Sequence, residues 1–275
     1  MGIDANDFSF IAGLVRDRSA IVIEKGKEYL VEARMAPIIR SEKLDGIPEL
    51  ITQLRRAPDS DLVDAVVDAM TTNETSWFRD RHPFDVLKSQ VIPELIERNE
   101  EKRKFHIWCG AASTGQEPYT IAMIIREHFP ILEGWDVKII ATDLSMTVLN
   151  QAISGHYGQI EMNRGLPAPL LAKYFVRDGT GWVVSEEIRR LVDFRPLNLI
   201  ENWPVMPKAD LVFLRNVLIY FDVETKRAIL EGVRKQMEPH AYLFLGGAET
   251  TMNVHNDFER FPMGKTAGYK VRRRA

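Results

Sequence analysis

The sequence predicts an α/β chain: an all-α N-terminal region, then an open parallel sheet with helices on both faces and a small antiparallel insertion. Three observations carry that prediction. The chain shows no strand pattern before Phe105, and apolar residues recur there at helical spacing. From Phe105 onward, short apolar runs alternate with helical patterns, which is the signature of a parallel sheet. One stretch, "KYFVRDGTGWVVSEEIRRLVDFRPLN", interrupts the alternation with β-rich runs around "DGTG", a hairpin signal.

The elements follow in order. Asp7 can cap a helix that carries Phe8, Ile11, Leu14 and Val15 on one face. "KEYLVEARMAPIIRSEKL" continues the helical period, with Pro37 as a kink or break. "PELITQLRRA" and "DSDLVDAVVDAM" are short amphipathic helices, the second capped by Asp59, Ser60 or Asp61. "TTNETSWFRD" is polar and hydroxyl-rich, and a long helix from about His82 to Asn99 leads to the charged link "EEKRK". Strand "FHIWC" precedes a helix from about Ser113 to His128. Strand "VKIIATD" precedes a helix capped by Ser145 and ended near Gly155. Strand "ADLVFLRN" precedes a helix from Asp222 to about Met237, then come "AYLFLGG" and a final antiparallel "GYKVRR". The arginines at the end read as a solvated tail or a strand edge. The division expected is a helical domain over 1–71, a linker over 72–84 and a sheet domain over 85–275, with the β-insertion at about 174–197.

Composition narrows the function classes. Of 275 residues, 45% are hydrophobic and 27% charged, ordinary for a globular protein. A net charge of −3 gives no overall pull toward nucleic acid or anionic lipid. The single cysteine, Cys109, lies in an apolar run and reads as a buried thiol of a reducing compartment. "MGIDANDFSF" has neither the basic start nor the apolar stretch of a signal peptide, and no run reaches the roughly 20 apolar residues of a membrane span. The histidines and the cysteine have no metal-ligand spacing, so no metal is expected.

The chemistry concentrates at "HIWCGAASTGQEPYTIAM", where a strand meets a turn of small and hydroxylated residues and a helix begins. In an open parallel sheet, ligands bind beyond the carboxyl ends of the strands, at such a turn, and glycine lets the backbone approach them. "GAASTG" has the spacing of a phosphate loop, but Gln116 and Glu117 follow it instead of Lys and Ser or Thr. A carboxylate there repels polyphosphate, and the G-x-G-x-x-G of dinucleotide sites is missing. A second acid, Asp143, closes "VKIIATD", where it can accept hydrogen bonds from both hydroxyls of a ribose. The ligand implied is an adenosine without phosphates, bearing a positive group for Glu117. S-adenosylmethionine has that chemistry. The plainer alternative is that each acid only caps a helix; both at successive strand ends favour the cofactor.

At this point the chain resembles the CheR-type chemotaxis receptor methyltransferases. The resemblance rests on "TTNETSWFRD", "WCGAASTGQEPYTIAM", "ATDLSMTVLNQA", "FRPLNLI" and "LRNVLIYFD", in that order, and covers nearly the whole chain. It implies a helical domain, a linker and a Rossmann-like class I methyltransferase sheet with a small inserted β-subdomain. It also implies a cytoplasmic enzyme that moves a methyl group from S-adenosylmethionine to glutamates on the helical cytoplasmic region of chemoreceptors. The products would be γ-glutamyl methyl esters and S-adenosylhomocysteine.

Carried over by motif, the cofactor residues are Asn73, Thr75, Arg79, Glu117, Asp143, Asn198, Leu199, Asn216 and Val217, with Arg79 and Tyr220 nearest the chemistry. Arg79 can grip a carboxylate through its planar fork, or it only bridges two domains. Tyr220 faces the methyl group or is a core aromatic, as Phe221 is expected to be. Trp77 and Phe78 read as packing residues of the linker. A competing reading is a receptor-binding adaptor that has lost turnover, against which the intact Arg79, Glu117, Asp143 and Asn216 argue. A nicotinamide oxidoreductase fails on the missing fingerprint.

The resemblance places receptor docking on a basic helix, for which Lys27, Arg34, Arg40 and Lys43 are the candidates, although acids intersperse them. In some relatives the β-insertion also binds a receptor C-terminal peptide by strand addition; the compact "DGTGW" turn argues against that here. A monomer is expected, with no nucleic acid partner and no membrane insertion.

Overall fold

The structure is a computed structural model and describes residues 3–272. Arg273 and Arg274 of the tail lie outside the described residues. The chain divides into two compact units, Met1–Thr72 with Tyr220–Thr225, and Asn73–Ile219 with Lys226–Ala275.

The first unit is helical: α1 (Ala5–Ser19), α2 (Glu28–Ser41), α3 (Ile47–Arg56) and α4 (Asp61–Met70). Each turns an apolar stripe inward, with Phe8, Ile11, Val15, Val31, Met35, Leu50, Leu54, Val63 and Val66 all buried. The cap of α1 is Asp4, not Asp7: Asp4 accepts the backbone N–H groups of Asn6 and Asp7. Asp7 stands in the first turn, where a negative charge still favours the helix dipole. Pro37 does not break α2, which runs on to Ser41. The carbonyl deprived of its partner belongs to Ala33, which is exposed, so water can satisfy it. Ser60 stands at the cap position of α4. The short segment Tyr220–Thr225 belongs here because Val22 N–H donates to the Tyr220 carbonyl at 3.2 Å and Arg16 pairs with Asp222 at 3.6 Å.

The second unit begins with one helical stretch in three registers: α5 (His82–Val86), a π turn (Leu87–Val91) and α6 (Ile92–Asn99). The π turn ends two residues before Pro93, which has no N–H for an α-helical bond. The strands are β1 (Lys104–Gly110), β2 (Asp136–Asp143), β3 (His156–Gly158), β4 (Phe175–Asp178), β5 (Gly181–Val184), β6 (Val192–Pro196), β7 (Ala209–Leu214), β8 (Met237–Leu245), β9 (Phe258–Met263) and β10 (Thr266–Val271). The remaining helices are α7 (Gln116–His128), α8 (Met146–Ser154), α9 (Gln159–Asn163), α10 (Ala168–Tyr174), α11 (Glu186–Arg189) and α12 (Val223–Gln236).

The large sheet has the order β6-β2-β1-β7-β8-β10-β9. Its first five strands are parallel, and β10 runs antiparallel to both β8 and β9. β1 shows why the central strands read as continuous apolar runs. Phe105, Ile107 and Cys109 enter the main core cluster, while His106 and Trp108, on the other face, are just as buried. Trp108 packs edge-on against Trp203 at 5.0 Å.

The "DGTG" hairpin forms as β4 and β5, joined through Gly179 and Thr180, with β3 completing a three-stranded sheet. "VDFRP", read as part of the insertion, instead pairs as β6 with β2 in the large sheet. Its Asp193 and Arg195 are tolerable because β6 is an edge strand. The same holds for β9, unread in the sequence, which carries charges and Pro262 at the opposite edge.

Trp77 is buried edge-on against Tyr157 and Phe175, with ring centroids 5.0 and 5.3 Å away. Its backbone N–H donates to the Arg164 carbonyl at 3.1 Å. Gly165 closes over it with φ +99°, where a Cβ would stand 2.2 Å from the Trp77 carbonyl oxygen. Gly165→Ala should therefore cost about 1–3 kcal/mol in urea unfolding. Wild-type stability would show that the linker is not anchored there.

Candidate active site at the carboxyl ends of the strands

From β1 the chain proceeds to β2 and β6 on one side, then crosses to β7 and β8 on the other, so the strand order reverses between β1 and β7. Gly110 and Leu214, the last residues of these two strands, lie opposite each other. A crevice at such a reversal is where parallel sheets place ligands.

The turn after β1 is held in uncommon backbone conformations. Ala111, Ser113 and Gly115 have φ values of 55°, 51° and 92°. For non-glycine residues this geometry must be over-determined by its surroundings. Here Ala112 N–H donates to the Thr142 carbonyl at 2.9 Å, Ser113 N–H to Asp143 Oδ2 at 2.8 Å and Ser113 Oγ to the Asn73 carbonyl at 2.7 Å. The glycines of the turn serve packing before ligand approach. A Cβ on Gly110 would meet Leu214 Cδ1 at 2.8 Å, and one on Gly115 would meet the Ala152 Cβ at 2.9 Å.

Asp143 is 7% exposed and joins two turns. Its Oδ1 accepts the Ser145 N–H at 2.9 Å while its Oδ2 holds Ser113. It thus supports the turn that precedes α8, while the cap itself is Ser145. A carboxylate can accept about four hydrogen bonds, so this duty is compatible with a ribose diol.

Glu117, in the first turn of α7, meets a positive group that the chain itself supplies. Arg215 Nη1 donates to Glu117 Oε2 at 2.7 Å, and Arg215 Nη2 reaches Asp80 Oδ2 at 2.6 Å and the Arg79 carbonyl at 3.2 Å. The Arg215 side chain is 1% exposed. Burial pushes the Glu117 carboxyl above its ordinary pKa; Arg215 and, more weakly, Arg79 pull it back, and Glu249 pushes it up. Sequence reasoning passed over Arg215, although it closes an apolar strand, where a charge demands a partner. Asp80 and Glu249 were also passed over.

The linker residues come to the same end of the sheet. Asn73 reaches it through the Ser113 bond, and Arg79 through its carbonyl. The Arg79 guanidinium donates to the Glu74 carbonyl at 2.7 Å and is half-exposed. Thr75 is half-buried between them in sequence. Asn198 and Leu199 follow β6, whose exit is tied to Asp143 by the Leu197 N–H bond to the Asp143 carbonyl at 2.9 Å. Asn198 Nδ2 donates to Glu201 Oε1 at 2.9 Å, and the Leu199 carbonyl accepts the Trp203 indole N–H. Asn216 has φ 60°, and it and Val217 are half-buried beyond β7. Tyr220 belongs to the segment that packs with the helical unit, and Phe221 is buried.

Residues 73–267 match the family description "CheR methyltransferase, SAM binding domain", and residues 6–71 match "CheR methyltransferase, all-alpha domain". The chain belongs to the CheR methyltransferase family. It is 41% identical to chemotaxis protein methyltransferase 1 of Pseudomonas aeruginosa over 92% of this chain and 93% of that one. It is 36% identical to the chemotaxis protein methyltransferase of Vibrio parahaemolyticus over 98% of each chain.

The donor set of this CheR-family chain fits S-adenosylmethionine. A carboxylate closes β2, a second stands in the first turn of α7, and neutral Asn73, Thr75, Asn198 and Asn216 lie in the linker and in the segments that follow β6 and β7, a set of acceptors and neutral donors with the chemistry of a ribose and an amino group. The candidate docking cations of the helical unit are unequal. Lys27, Arg40 and Lys43 are exposed, whereas Arg34 is spent on the carbonyls of Ala69 and Thr71 at the end of α4. No helix among the described residues is long and apolar enough to cross a membrane.

Proposed function

We propose that the chain transfers the methyl group of S-adenosylmethionine to glutamate side chains of chemoreceptors in the cytoplasm, as a monomer, giving γ-glutamyl methyl esters. The observation that carries the reading is the pair of acids at successive strand ends, Glu117 and Asp143, in a chain of the CheR methyltransferase family.

S-adenosylmethionine supplies an electrophilic methyl group on a sulfonium. The remaining work falls to the protein. Asp143 would accept the ribose hydroxyls, and Asn198 and Leu199, beside its strand, would meet the adenine. Glu117, with its charge shared by Arg215, would offer an acceptor to the amino group, and Asn73, Thr75, Asn216 and Val217 would complete the cofactor contacts. Arg79 would orient a carboxylate of cofactor or substrate. A glutamate is already an anion at pH 7, so no general base is required. Holding the reacting groups in line is worth on the order of 7–11 kcal/mol at best.

The test has two arms. Calorimetry with S-adenosylhomocysteine, NAD and ATP should show binding of the first alone. Incubation of a receptor cytoplasmic fragment with labelled cofactor should give label that mild base releases as methanol, as a carboxyl methyl ester does. Base-stable label would refute glutamate as the acceptor.

Arg79→Lys keeps the charge but loses the planar fork. It is expected to slow methyl transfer by ~10–100-fold, about 1.4–2.8 kcal/mol of barrier, with little change in melting temperature. Full turnover with lowered stability would reduce Arg79 to a structural residue.

A further inference from the structure

The exits of β7 and β8 are joined by one side chain that neither the motifs nor the reading above assigns. Glu249 Oε2 accepts two backbone N–H groups, from Asn216 at 2.7 Å and from Gly246 at 2.6 Å. These residues stand in the turns that leave neighbouring parallel strands, two positions after Leu214 and one after Leu245. Asn216 sits at φ 60°, a conformation its neighbours must enforce. The fit around it is close: a Cβ on Gly246 would lie 2.7 Å from both Asn216 Nδ2 and Glu249 Oε2. The other carboxylate oxygen, Oε1, is buried without a hydrogen-bond partner. A carboxylate buried in this way is costly, and on the sheet alone a packed apolar residue would be the cheaper choice.

We infer that Glu249 is a positioning residue for the cofactor: it locks the Asn216 turn in the conformation that presents Asn216 and Val217 at the crevice between β1 and β7. The inference rests on the cofactor reading above. Two further observations support it. Asn216 directly follows Arg215, so slack in the turn would propagate to the Glu117 pair. Glu249 is also close enough to Glu117 for its charge to be felt there, after burial and the two arginines.

Two substitutions separate geometry from charge. Glu249→Gln keeps the length and an oxygen able to accept both N–H groups. Glu249→Asp keeps the charge but is one methylene too short to reach both. With S-adenosylhomocysteine as the titrant, Glu249→Asp should bind ~10–100-fold more weakly, and Glu249→Gln within ~3-fold of wild type. Gly246→Ala, which crowds both Asn216 and the Glu249 carboxylate without removing either, should weaken binding like Glu249→Asp. Wild-type affinity in Glu249→Asp, even with a lowered melting temperature, would overturn the inference. So would a loss in Glu249→Gln as large as that in Glu249→Asp, because charge would then matter and not the two bonds. If the wild-type protein itself fails to bind S-adenosylhomocysteine, it is the cofactor reading that falls.

Discussion

Arg215→Met is expected to destabilise the protein by about 3–5 kcal/mol, the cost of leaving a buried charge without its partner. The Arg215 guanidinium has almost no solvent to fall back on, and Glu117 is only 13% exposed. Asp80, at 53%, can turn to water, so the Glu117 arm should dominate. Lysine cannot reach two carboxylates and a carbonyl with one ammonium, so Arg215→Lys should recover only part of the loss. The decisive measurement is a double-mutant cycle by urea unfolding. Glu117→Gln removes the stranded anion, so combined with Arg215→Met it should cost at least ~1 kcal/mol less than the sum of the single losses. A single-variant loss below about 1 kcal/mol, typical of surface pairs, would mean the pair is solvated. The pH dependence carries the same logic. Because burial raises the Glu117 pKa, its ionisation opposes folding. Its contribution is most favourable below the ordinary carboxylate range and is lost as pH rises through the raised value.

Asp143→Ala should weaken S-adenosylhomocysteine by roughly 2–4 kcal/mol, since two ribose hydroxyls lose a charged acceptor. The same substitution strands the N–H groups of Ser113 and Ser145, so stability should fall as well. Calorimetry at a temperature where circular dichroism shows the variant folded keeps the two effects apart. Asp143→Asn retains one acceptor oxygen and should fall between wild type and alanine. Affinity within ~0.5 kcal/mol of wild type in the folded alanine variant would remove Asp143 from the cofactor site.

What the sequence revealed and what it hid have physical reasons. Central strands such as β1 and β7 are buried on both faces, so their apolar runs stand out, and the acids that close β2 and open α7 stand out against them. Edge strands carry charges and a proline because one side is free, and that made β6 and β9 look like hairpin or loop. Capping shifted from Asp7 to Asp4 because both are good caps, and only the backbone chooses between them. Arg215 and Glu249 escaped notice for a different reason. Their partners, Glu117 for one and the Asn216 and Gly246 amides for the other, converge only when distant strand ends are brought side by side. Spacing along the chain carries no sign of that.

The lone thiol of Cys109 lies in the middle of the sheet, fully buried, and burial raises its pKa well above the usual range. Modifying reagents need the thiolate and a path to it. Since the chain has no other cysteine, labelling kinetics would time the opening of β1 itself, a clock for the slowest breathing of the sheet. A cofactor that bridges the strand ends would slow that clock without touching the sulfur.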